Sequence, residues 1–257
     1  QPQGLLELSL LMAEEDMNLT AASALIERDM ALASAVLRAV NSSLYGLKGR
    51  VQSVHQAMTY LGMREVAAIT FEMGLRAAFA PTPELEPIWK RAGWRGMLMG
   101  RLAQRLSLDA WAAHSAGLFE ECGKAVLFRH APDHYRAMLR AAPGDAELVL
   151  LEHAGFGVSH DKLGAALCES WGLGALAVMS VRHHVEAQAT HVLTGLAAKR
   201  SVCALSVMAH TLETAPDTLD AVALVVAPQA DLEPALLVRA MRQVREERDN
   251  AAANGRD

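Results

Sequence analysis

The chain has 257 residues, of which 52% are hydrophobic, 21% charged and only 5% aromatic, and its formal net charge is −5. That acidic balance excludes a general nucleic-acid binder, which needs clustered Lys and Arg to neutralise phosphates. No apolar run approaches the roughly 20 residues of a membrane span, since the longest candidates are broken by Glu72, Arg76 or Arg182.

The length suits one domain of two lobes, with a core large enough to fold without a disulfide or structural metal. Helical periodicity accounts for nearly every segment. Leu5, Leu8 and Met12 share a face. Asn18 or Thr20 can cap the helix carrying Leu25 and Ile26, and Leu32, Val36 and Val40 form a third stripe. Residues 42–50 read as a loop marked by Gly46 and Gly49. Ser53 and Gln56 fit a capping box, Val54, Met58 and Leu61 follow, and Gly62 can end that helix with a positive φ. Met63, Val66, Ile69 and Met73 begin the next.

Ala80-Pro81-Thr82-Pro83 marks the clearest boundary, with Thr82 as a cap and Pro83 in the first turn. Helices are predicted over 83–106, 110–130, 133–142, 145–154, 160–171, 175–187, 191–212, 219–226 and 233–249. The run Val222 to Ala227 is β-prone but is assigned to helix. The domain reading is an N-terminal lobe over 1–80, a second lobe over 81–215 and a C-terminal extension over 216–257. That extension either docks on the second lobe or serves as a dimerisation or linker helix. Cys122, Cys168 and Cys203 are odd in number, widely spaced and on apolar faces, which points to reduced core thiols in a cytoplasmic protein. The start at Gln1 rather than Met suggests a cut from a longer polypeptide.

Two stretches carry a family resemblance. The first runs from Ala24-Leu-Ile-Glu-Arg-Asp29 through Val36-Leu-Arg-Ala-Val-Asn41-Ser-Ser-Leu-Tyr45-Gly46 to Ser53, Gln56-Ala57 and Leu61-Gly62. The second contains Trp89, Ala116-Gly-Leu118, Gly123-Lys124, His160, Leu163-Gly164-Ala165, Trp171 and His183-His184. In this order the residues resemble HDOD domains, the HD-related output domains of bacterial signalling proteins, over about residues 5–212. The resemblance implies an all-α, two-lobed helical bundle similar to HD-type metal phosphohydrolases. It also implies a role in signal transduction near receiver or cyclic-dinucleotide modules.

An HD hydrolase holds a divalent metal with imidazoles and carboxylates, and the metal polarises phosphate and activates water. The family pattern for this centre is Gly-Leu-x-His-Asp-x-Gly-Lys; here the stretch reads Gly117-Leu-Phe-Glu120-Glu121-Cys-Gly123-Lys124. The resemblance places Arg91 at the upstream histidine position and Lys199 at the late aspartate position. Arg has no lone pair to give and Lys would have to lose its proton. The expectation is therefore a degenerate site, without metal or other cofactor, in which Arg91 or Lys199 pairs with Glu120 or Glu121. Glu120 and Glu121 could instead be solvated helix residues. His183-His184 could be a surviving half-site or one packed and one exposed residue, and His160 could be structural. Asn41, Tyr45 and Gly46 shape a turn more readily than they contact a ligand. The function expected is a non-catalytic regulatory module that binds a signalling protein or small ligand. The alternatives are a divergent HD phosphohydrolase using Glu120, Glu121, His160 and His183, and a nucleotide sensor that binds without cleaving. The sequence leaves the oligomeric state open.

Overall fold

The computed structural model describes residues 7–8, 11–12, 18–42, 45, 47, 51–196 and 199–253, and every regular element among them is a helix. Of the residues singled out in the sequence, Leu5, Gly46 and Gly49 lie outside the described residues. The chain divides into two compact units, residues 1–80 with 243–257 and residues 81–242. Residues 216–242, read in the sequence as part of an extension, are thus grouped with the second unit.

The first unit holds α1 (Leu19–Glu27), α2 (Met30–Val40), α3 (Val54–Leu61) and α4 (Met63–Ala77). Asn18 caps α1 by accepting from the Thr20 and Ala21 amides at 3.0 and 3.1 Å. Asp29 does the same for α2, accepting from Ala31 and Leu32 at 3.0 Å each. Ser53 Oγ accepts from the Gln56 amide at 3.1 Å, while the Gln56 side chain accepts from Gln52 rather than from Ser53 itself. Gly62 joins α3 to α4 at φ 96°, a conformation that costs glycine nothing. Ala22, Ile26, Val36, Val40, Val54, Met58 and Val66 are buried as the core.

Asn41 ties the two ends of the following loop together. Its Nδ2 donates to the Val51 carbonyl at 2.8 Å and its Oδ1 accepts from the Val51 amide at 3.2 Å. Tyr45 is buried beside this closure in sequence, at 8% exposure. Asn41→Ala loses both bonds and should cost about 1–2 kcal/mol, measurable as a lower urea midpoint at unchanged slope.

The second unit contains α5 (Leu85–Arg105), α6 (Ala110–Phe119), α7 (Cys122–His130), α8 (Pro132–Ala141), α9 (Asp145–Phe156), α10 (His160–Ser170), α11 (Ala175–Thr190), α12 (Ser201–Thr214), α13 (Leu219–Gln229) and the start of α14 (Pro234–Ala253). Thr82 accepts from the Leu85 amide, so α5 begins two residues later than Pro83. The β-prone run of Val222 to Ala227 is helical within α13. Helices α5 and α6 pack backbone to backbone: a Cβ on Gly117 would stand 2.6 Å from the Arg95 carbonyl. His114 sits in this contact, fully buried against Gly96 and Gly100.

Burial, and then the Arg101 charge, push the His114 imidazole down to about 3 from an ordinary value of 6.5. The unfolded chain therefore takes up this proton first. Stability is fully present above about 6.5 and is lost progressively as pH falls toward about 3. Urea denaturation at about pH 7 and about pH 5 should show that loss, and His114→Gln should have a shallower pH slope between the two.

Two predicted helices are corrected. The helix read over 110–130 is broken: α6 ends at Phe119 and α7 starts at Cys122, with Glu120 and Glu121 between them. The helix read over 191–212 starts only at Ser201. His191 takes a left-handed conformation at φ 57° and ends α11. The Gln229 side chain then holds the extended segment, accepting from the Leu193 amide at 2.9 Å and donating to the His191 carbonyl at 2.8 Å.

Candidate functional site

The break between α6 and α7 turns two consecutive carboxylates into the unit interior. Glu120 is 0% exposed and Glu121 4% exposed, so the solvated reading of this pair does not hold. Two charge networks receive them. In the first, Arg91 on α5 grips Glu121 bidentately, with Nε 2.9 Å from Oε2 and Nη2 3.1 Å from Oε1. Lys124 on α7 donates to Glu121 at 2.7 Å and to both Asp145 oxygens at 2.7 and 2.9 Å. In the second, Arg95 donates to Glu120 at 3.2 Å and to Glu213 on α12 at 2.8 and 3.0 Å. Planar guanidinium forks suit such paired contacts, and buried carboxylates need them.

Burial alone would raise the Glu121 carboxyl, but Lys124, Arg91 and Arg95 outweigh it and hold it well below the usual carboxylate range. Asp145 follows the same logic: burial raises it, and Lys124 and His160 bring it lower. Burial likewise depresses the Lys124 ammonium, and Glu121 and Asp145 more than restore it. Glu121, Asp145 and Lys124 thus each hold the other in its charged form.

The histidines form a third group. His160, at 0% exposure, opens α10; its ring Nδ1 lies 2.8 Å from Glu152 Oε2, and its own amide donates to that oxygen at 2.7 Å. The Tyr135 hydroxyl donates to the other Glu152 oxygen. Glu152 accepts throughout, so the His160 Nδ1 carries a proton. His184, also at 0%, places Nδ1 2.8 Å from the Val181 carbonyl. A carbonyl can only accept, so the His184 Nδ1 is the protonated nitrogen. Burial lowers the His184 imidazole, with Glu120 opposing, and keeps it neutral. The two rings are 5.6 Å apart, and His160 Nε2 is 3.9 Å from Asp145 Oδ2. Ligand atoms of Asp145, His160 and His184 all lie within 4.8 Å of one another. Buried atoms without a hydrogen-bond partner include His160 Nε2, His184 Nε2 and Glu120 Oε1.

The sequence-level site is thus assembled in part. Arg91, Glu120, Glu121 and Lys124 meet in ion pairs. His160 and His184 meet each other, while His183 is only half-buried and stands outside the three-residue group. Gly123 brings α7 against the His160 backbone; a Cβ there would collide with the His160 carbonyl. Lys199 is the correction. It is exposed and forms none of the ion pairs among the described residues. The non-helical stretch after His191 displaces it from the register a continuous helix would give. The cations that do the pairing are Arg91, Arg95 and Lys124.

Arg95, Asp145, Glu152, Tyr135, His210 and Glu213 were not singled out by sequence reasoning. His210 stands 3.3 Å from Arg95. Only Arg95 carried a hint, lying one turn beyond Arg91 on the same helix face.

The residues at the hydrolase-pattern positions do not fit a divalent ion. Arg91 offers no lone pair, and both Glu121 oxygens already accept from cations. Asp145, His160 and His184 stand close together, but both Asp145 oxygens already accept from the Lys124 ammonium, as the Glu121 oxygens do from their own cations.

Comparison with known proteins agrees with this architecture. A crystal structure of a protein from Shewanella amazonensis, named a candidate phosphohydrolase, is 18% identical with a TM-score of 0.73, covering 97% of this chain and 91% of that one. A candidate signal transduction protein from Marinobacter aquaeolei is 22% identical with a TM-score of 0.72, covering 98% and 57%. An HDOD domain protein of unknown function from Geobacter sulfurreducens is 17% identical with a TM-score of 0.71, covering 97% and 90%. These likenesses show the fold. An uncharacterized protein of Treponema pallidum is 26% identical over 192 residues, 71% of this chain. The chain spans about a third, 36%, of that relative's length. No described helix is long and apolar enough to cross a membrane. The HDOD domain profile matches residues 1–187, and with nearly three quarters of its length in that match the chain belongs to the HDOD family.

Proposed function

We propose that this HDOD chain is a non-catalytic regulatory module of signal transduction, in which the hydrolase-type centre has been converted into a charge-paired structural core. One observation carries the reading: Glu121, at the position of the metal-binding aspartate in the hydrolase pattern, is held by Arg91 on one side and Lys124 on the other. Displacing Lys124, 4% exposed, would strand its charge in a low-dielectric interior at a cost of several kcal/mol; Arg91 is part-exposed and adds less. A hydrolytic metal would have to meet that cost before binding. The module then acts through association with a signalling protein, such as a receiver or cyclic-dinucleotide module. The signal-transduction name of the Marinobacter relative is consistent with such a partner.

The test is a turnover assay on the purified chain with phosphomonoester and cyclic-dinucleotide substrates and added Mn²⁺. Turnover should not exceed the protein-free control, and Glu120→Ala should match the parent. Turnover in the parent that disappears in Glu120→Ala would overturn the proposal.

A further inference from the structure

We infer that the exposed face of α13 is the contact between two copies of this chain, paired antiparallel about a two-fold axis that passes between Leu224 and Val225. The dimer does not depend on whether the buried centre is catalytic.

The helix itself carries the anomaly. Between Asp220 and Gln229, α13 has no polar residue. A helix apolar on every side belongs in an interior, yet only one side of α13 is covered. Val222, Ala223, Val226 and Ala227 are buried. Ala221, Leu224, Val225 and Pro228, spaced i, i+3, i+4 and i+7 along one face, are exposed.

The stripe continues beyond the helix. The Gln229 side chain donates to the Val225 and His191 carbonyls and accepts from the Leu193 amide, which seats Val192 at the end of the stripe. Arg200 donates to the Gln229 carbonyl at 3.2 Å and brings the turn from Leu196 to the same end. Leu224 is 67% and Leu196 72% exposed. Together these side chains present roughly 400 Å² of apolar surface, a size that marks interaction sites on monomers. That is about half of the ~800 Å² per partner of a standard interface, so the dimer belongs to the weak, micromolar class.

Charge selects the occupant. Asp217, Asp231, Glu233, Lys199 and Arg239 are exposed around the face, and none of the five joins an ion pair among the described residues. An anionic lipid surface is not attracted by that balance, since it needs a basic patch. A second copy matches it. In an antiparallel pair the end of each α13 meets the start of the other. Lys199 stands at the end of α13, on the turn that Arg200 ties to Gln229, and Asp217 stands just before its start. The two-fold therefore brings Lys199 to the partner's Asp217, and does so twice. Arg242 reaches Asp220 at 2.8 Å, so α14 runs back beside the start of α13 and carries Arg239 in that half. Asp231 and Glu233 lie at the opposite end and meet the partner's Arg239. Such an isologous contact closes at two copies.

The experiment is sedimentation of the full chain over a concentration series from the low micromolar range upward. The average mass should rise from one copy to two and no further. Leu224→Glu should stay monomeric throughout with unchanged helical circular dichroism, while Leu150→Glu, at a similarly exposed leucine on α9, dimerises like the parent. Should Leu224→Glu lose helical signal, Leu196→Glu takes its place. Lys199→Asp and Asp217→Lys should each weaken the dimer roughly 5-fold, and the two together should restore it. A parent that stays monomeric overturns the inference, and co-sedimentation of that monomer with anionic vesicles would give the face to a lipid surface instead. A dimer that Leu224→Glu leaves intact, assembly beyond two copies, or charge variants that do not rescue each other overturns it as well.

Discussion

Lys124→Met should be among the most damaging single substitutions in the second unit, lowering stability by about 4 kcal/mol. The ammonium is 4% exposed and is shared by Glu121, also 4% exposed, and Asp145. Methionine fills much the same volume, so the loss reports charge rather than a cavity. What remains is the buried Glu121 beside the part-buried Asp145, with Arg91 as the one cation still hydrogen-bonded to Glu121. In a unit of this size the thermal midpoint should fall by roughly 10 °C. The pH dependence gives a second check. The depressed Glu121 and Asp145 groups contribute stability that is present above their ordinary values of 4.5 and 3.8 and is lost as pH falls through the folded values. The gap between parent and variant should therefore be widest near neutral pH and narrow below about pH 4. A gap independent of pH would assign the effect to packing.

Gly123→Ala should be comparably destabilising for a different reason. The added methyl would meet the backbone carbonyl of His160, and a backbone has no rotamer by which to yield. Overpacking of this kind costs about 3 kcal/mol. The shift it forces would separate α7 from α10, the two helices that bring Lys124 and His160 to the centre. Chemical denaturation should show the loss, and Gly157→Ala makes the comparison, since nothing lies within 4 Å of a Cβ there and only its positive φ is strained. Equal losses at the two glycines would contradict the close-approach account.

The Gly-Lys pair of the family pattern thus has two structural duties here, one steric and one electrostatic. The sequence made the pair visible, but not the duties. Helix periodicity and caps were legible because they depend on near neighbours: Asn18, Asp29 and Ser53 act within three residues of themselves. The break at Glu120–Glu121 was not legible, because both residues are acceptable inside a helix and the preceding Ala-rich stretch reads straight through. The end of α11 at His191 was hidden for a similar reason. A non-glycine residue takes the left-handed conformation there, and its support comes from Gln229, thirty-eight residues away. The resemblance placed Lys199 at the late aspartate position, and the non-helical stretch after His191 leaves it exposed instead. Asp145 and Glu152 were invisible for a third reason. They belong to the site only through packing of α9 on its neighbours, and α9 carries acidic residues on several faces.

The ion-pair account is tested most directly by anomalous diffraction from crystals soaked in Mn²⁺ or Zn²⁺. It predicts that Arg91 and Lys124 stay on Glu121, with no anomalous peak there. A peak coordinated by Glu121, with the Arg91 guanidinium swung away, would contradict it.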